Sequence, residues 1–135
     1  MNKLDVFKKE MGYIKNDRYR RSLEKLILEL PDYFFVVPAS SSGKHHSAYA
    51  LGEGGLVRHT KAAVALAKTL LYENKVFGEE FNSDEKDLII IALILHDGLK
   101  LGIEESKHTL FEHPLLMVDF IENKRNILDF NDSEI

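Results

Sequence analysis

Eight consecutive apolar residues, Leu88-Ile89-Ile90-Ile91-Ala92-Leu93-Ile94-Leu95, run directly into His96-Asp97. A stretch this apolar has to be buried, and its length suits either an inner strand or a core helix. The flanks decide for the helix. Ser83 stands as an N-cap, Asp84 and Glu85 fill the first turn, and no segment of similar composition offers itself as a hairpin partner. Gly98, just beyond, is expected to end the helix. The rest of the fold must then be built around one buried central helix.

The remaining periodicities agree with it. Asp17 is placed to cap a helix through Leu30, with Tyr19, Leu23, Leu26, Ile27 and Leu30 recurring at three and four residues, and Pro31 stops it. Leu4, Phe7, Met11 and Ile14 share one face of a shorter helix over residues 3–14. After the apolar stretch 33–37, Pro38 and the serines open a loop that closes at Gly54-Gly55, and a third helix is predicted from about Leu56 to Tyr72. Pro114 suits a first helical position and opens a helix from Leu115 to about Glu122. The fold class is all-α.

The chain has 135 residues, enough for a single domain, and contains no cysteine. Disulfide scaffolds, thiolate zinc sites and cysteine nucleophiles are thereby excluded, and any metal must be held by histidine and carboxylate. No run approaches the ~18 apolar residues that span a bilayer, and the first thirty residues lack a signal peptide's apolar stretch, so a soluble cytoplasmic protein without membrane association is expected. The net charge of -4 is uneven, the basic excess lying in the first half and the acidic excess after Tyr72. Such a chain is a poor match for a long nucleic-acid track, because phosphate affinity comes from clustered Lys and Arg. A nucleotide or a short oligonucleotide suits it better.

All six histidines, at positions 45, 46, 59, 96, 108 and 113, fall in the middle of the chain. His96 stands out, since it and Asp97 end a buried helix, where polar groups are costly unless compensated. A divalent cation would compensate them. Imidazole with carboxylate suits Mn, Fe, Co, Ni or Zn, with Mg possible in an oxygen-rich site. Other motifs fail on spacing. Ser42-Gly43-Lys44 lacks a P-loop's first glycine, Pro38 standing there, and has His45 where Ser or Thr is needed. No HExxH pattern occurs, and Gly52, Gly54 and Gly55 are too irregular for a dinucleotide fingerprint.

His59 in a helix, His96-Asp97 at the end of an apolar helix and His113 before Pro114 form an ordered set. It resembles the HD-domain metal-dependent phosphohydrolases. Pro38-Ala39-Ser40, His45-His46, Gly54-Gly55-Leu56, His59-Thr60 and His96-Asp97-Gly98-Leu99-Lys100 look like the HD domains of a bacterial exoribonuclease group and of small phage-borne HD proteins. The resemblance covers residues 31–120 and implies an HD-like helical bundle, with N-terminal helices over 1–30 and the metal-site core over 31–124.

The resemblance also implies roles. His59, His96 and Asp97 match metal ligands, Asp97 being placed to bridge two ions where two are present, and His113 matches a ligand of the second metal. Lys100 matches a lysine that contacts substrate phosphate. Lys44 in the preceding loop is a further phosphate contact, and His46 is placed to orient substrate or to protonate the leaving oxygen. The expected chemistry is attack on phosphorus by a water that the metal activates, with no protein nucleophile. The family closes its site with a late histidine and aspartate that fall beyond the position matching Ile135, so a domain lacking its C-terminal helices is expected, either as a fragment of a longer protein or as a naturally shortened form. Asp119, Asp129 and Asp132 are the remaining late aspartates. Three functions follow: a phosphohydrolase, a catalytically weak HD-like module that binds a nucleotide or partner, and a plain helical interaction domain.

Overall fold

The computed structural model describes residues 2–39, 52–100 and 121. Among the described residues six helices are bounded, in this order: α1 (Lys3–Val6), α2 (Lys8–Met11), α3 (Asp17–Glu29), α4 (Gly55–Tyr72), α5 (Lys75–Gly78) and α6 (Ser83–Leu95). A 3-10 turn, Asp32–Phe35, follows α3. No strand occurs among the described residues. The all-α reading holds.

α3 carries its apolar period into the core, with Tyr19, Leu23, Leu26 and Ile27 buried on one face. Its cap differs by one residue from expectation. Asn16 caps α3, its side chain accepting from the N–H groups of Arg18 and Tyr19, and Asp17 is already helical. The same offset recurs at α6, where Asn82 rather than Ser83 is the cap and forms a reciprocal capping box with Glu85. At the far end of α3, Leu30 turns extended before Pro31, and the Lys3 ammonium donates to the Leu30 carbonyl at 2.6 Å.

The single helix expected over residues 3–14 is two short ones. They break at Phe7, whose φ of -109° and ψ of 18° leave the helical region. Packing explains the break. The Phe7 ring stacks on Phe34 at 6.0 Å and meets Phe35 edge-on at 6.2 Å, so that the aromatic cluster at the 3-10 turn sets the backbone there. α5 was outside the sequence expectation. Asn74 caps it, and Gly78 packs so tightly on α4 that an added Cβ would lie 2.2 Å from the Leu71 carbonyl oxygen.

α6 is the core helix, but it is not buried all round. Ile90, Ile91, Ile94 and Leu95 are buried, Leu88, Ile89 and Leu93 are half-buried, and Ala92 is exposed. Among the described elements α6 packs most extensively on α4 and also meets α3. Gly98 does not end it by a left-handed turn, since positive φ occurs among the described residues at Gly52 and Gly54. Instead the chain tightens into successive turns, with Gly98 N–H donating to Leu95 and Lys100 N–H to Asp97. No helix among the described residues is long and apolar enough to cross a membrane.

Candidate metal centre

α4 begins at a glycine pair because the chain reverses there. Gly54 takes φ 74°, its N–H donates to the Val36 carbonyl at 2.7 Å, and the Leu56 N–H donates to Val37 at 3.0 Å. These bonds fix the first turn of α4 against the segment after the 3-10 turn. Leu56, Val57, Thr60 and Val64 face the core, which leaves His59 on the flank that looks toward the end of α6. Arg58 points elsewhere, its guanidinium donating to the Glu53 carbonyl at 2.9 Å.

At the end of α6, Asp97 is 7% exposed, and two imidazoles converge on it. His96 Nε2 lies 3.1 Å and His59 Nε2 4.0 Å from Asp97 Oδ2. The two rings stand 6.4 Å apart, and the three ligand atoms lie within 4.8 Å of one another. Ligand atoms bound to one ion at ~2.0–2.2 Å sit about 3 to 4 Å apart, so the spacing suits a single divalent cation. The donor set, two imidazoles and a carboxylate, suits a borderline transition metal.

His96 is oriented from behind. Its Nδ1–H donates to the Leu93 carbonyl at 2.6 Å, which turns its Nε2 toward Asp97. The Asp97 carboxylate, aided by the Leu93 carbonyl, holds the His96 ring protonated above its usual range, against the opposing effects of burial and of the Lys100 charge. A cation would displace that proton and take the same lone pair.

The sequence therefore named three residues that the fold brings together, His59, His96 and Asp97. Lys100 lies one turn away, with its ammonium donating to the Ala39 carbonyl. Lys44, His46 and His113 lie outside the described residues, as do His45, His108, Asp119, Asp129 and Asp132.

Two buried carboxylates escaped the sequence reading. Asp87 on α6 is fully buried and accepts from Lys15 N–H at 3.1 Å and Asn16 N–H at 2.9 Å, which ties α6 to the start of α3. Its signal is register, since it precedes Ile90 and Ile91 by three and four residues on the core face. Glu10 is also buried and pairs with Lys61 at 2.9 Å. Both are structural. No protein-family model, curated protein or solved structure matches the chain.

Proposed function

We propose that this protein is a cytoplasmic, divalent-metal-dependent phosphohydrolase of the HD type, cleaving a phosphoester or phosphodiester of a nucleotide or short oligonucleotide. One observation carries the reading: two imidazole nitrogens, one from α4 and one from the turn after α6, aim at a single buried carboxylate oxygen. His59, His96 and Asp97 would hold the cation, with Mn, Fe, Co, Ni, Zn and Mg as candidates. When bound, such an ion supplies Lewis acidity, polarising a phosphoryl oxygen and acidifying water.

The chain's own residues do the rest. Leu93 fixes the His96 tautomer, and the core behind Asp97 limits its hydration and strengthens its pull on positive charge. The acidic second half of the chain disfavours a long polyanionic substrate, which supports a small one. The test is turnover of generic phosphodiesters and a nucleotide panel with Mn2+ added. Metal-dependent hydrolysis that falls at least a hundredfold in Asp97→Ala is the expected result. A folded, metal-loaded protein without turnover supports the second reading, a nucleotide- or partner-binding module. That reading draws on Lys100, whose ammonium is engaged by Ala39 instead of being offered to a phosphate.

A further inference from the structure

The cluster joins residues from two elements that pack directly on each other and are also linked by hydrogen bonds through a third segment. His59 belongs to the second turn of α4, and His96-Asp97 to the turn after α6. Between them runs the segment 36–39. At one end it accepts the Gly54 and Leu56 N–H bonds that fix the start of α4. At its other end the fully buried Ala39 accepts from the Lys100 ammonium. Lys100 closes its own turn through N–H donation to the Asp97 carbonyl at 3.1 Å. The hydrogen bonds thus run from the start of the His59 helix, through 36–39, to Lys100 and on to Asp97.

We propose that Lys100 is a positioning residue for the metal centre: by holding Ala39 it sets the separation of His59 from Asp97, which the structure shows at 4.0 Å between Nε2 and Oδ2. The inference rests on the reading of the cluster as a cation site. It gives Lys100 a role that acts through the backbone and not through a phosphate. Outer partners that orient metal ligands matter strongly, their loss commonly weakening metal affinity about 10–100-fold.

Charge alone demands the opposite sign. The Lys100 ammonium is close enough to oppose positive charge on His96, so deleting it would relieve that repulsion and, on charge alone, tighten cation binding. A lysine that only contacts substrate would leave metal affinity untouched or improved. A positioning lysine would weaken it when lost. The sign of one measurement therefore separates the roles.

The test is calorimetric titration of Mn2+ into wild-type protein, Lys100→Met and Lys100→Gln, with helicity checked by circular dichroism. The Gln variant serves if the Met variant does not fold. Both are expected to bind Mn2+ about tenfold more weakly than wild type. In metal-free protein with chelator present, amide exchange at Gly54, Leu56 and Gly98 is expected to speed up severalfold in the same variants. Equal or tighter Mn2+ binding by a folded variant, or unchanged exchange at those amides, overturns the positioning role while leaving the cation site standing. Wild-type protein that binds no Mn2+ sinks the cation site itself and the inference with it.

Discussion

Two buried aspartates bracket α6, and they are satisfied in opposite ways. Asp87, in its second turn, is fully buried, and the backbone N–H groups of Lys15 and Asn16 meet its carboxylate. Asp97, just past the other end, is nearly as buried, but side-chain imidazoles face it, from His96 at 3.1 Å and His59 at 4.0 Å. Backbone donors are fixed by the fold and cannot be exchanged for a ligand. Imidazole nitrogens can surrender a proton and turn the same lone pairs to a cation. The first arrangement builds a structure, and the second builds a site.

The contrast is sharpest for Asp87. Asp87→Ala leaves the part-buried Lys15 and Asn16 amides without their acceptor and is expected to cost about 2 kcal/mol in urea unfolding, while leaving Mn2+ binding by the folded fraction intact. A loss below about 1 kcal/mol would mean that the two aspartates are not different in kind.

A smaller effect is expected from pH. The folded His96 ring holds its proton above the ordinary value of 6.5, chiefly through Asp97. A group whose folded pKa is raised lends stability that is complete below the unfolded value and lost as pH rises through the folded one. Metal-free protein should therefore lose thermal stability as pH rises from 6.5 through the raised folded value, and the loss should vanish in Asp97→Ala. With Mn2+ present the direction reverses, because the ion needs the neutral ring, so metal-induced stabilisation grows with pH. Parallel melting curves with chelator and with Mn2+ read both signs.

The smallest effect is reserved for Thr60, beside His59. Its hydroxyl is buried and, among the described residues, has no hydrogen-bond partner. Thr60→Val keeps the shape and is expected to leave stability unchanged or raise it by up to about 1 kcal/mol. Clear destabilisation would assign that hydroxyl a bond and weaken the division between satisfied and functional polar groups.

Much of this was legible from periodicity. Tyr19, Leu23, Leu26 and Ile27 lie on the face of α3 that their spacing marks, whereas the grouping of His59 with His96 and Asp97 was expected from the ordered motifs that resemble HD domains. The caps were offset by one residue because Asn16-Asp17 and Asn82-Ser83 each place two competent caps side by side, and only backbone geometry chooses between them. The break at Phe7 was not legible, since it is imposed by rings more than twenty residues away in sequence. α5 spans four residues, too few to show a period. Asp87 was hidden for a different reason. A carboxylate near a helix start reads as favourable to the dipole, and its second function, holding the start of α3, appears only when the two helices are packed together.

The most direct measurement is metal content. Wild-type protein and Asp97→Ala, purified without chelator and reloaded with Mn2+, would be compared by elemental analysis alongside circular dichroism. Wild-type protein is expected to retain bound divalent metal, and Asp97→Ala to keep its helicity while losing the metal. A fully helical wild-type protein that carries none, or an Asp97→Ala variant that carries as much, would contradict the account.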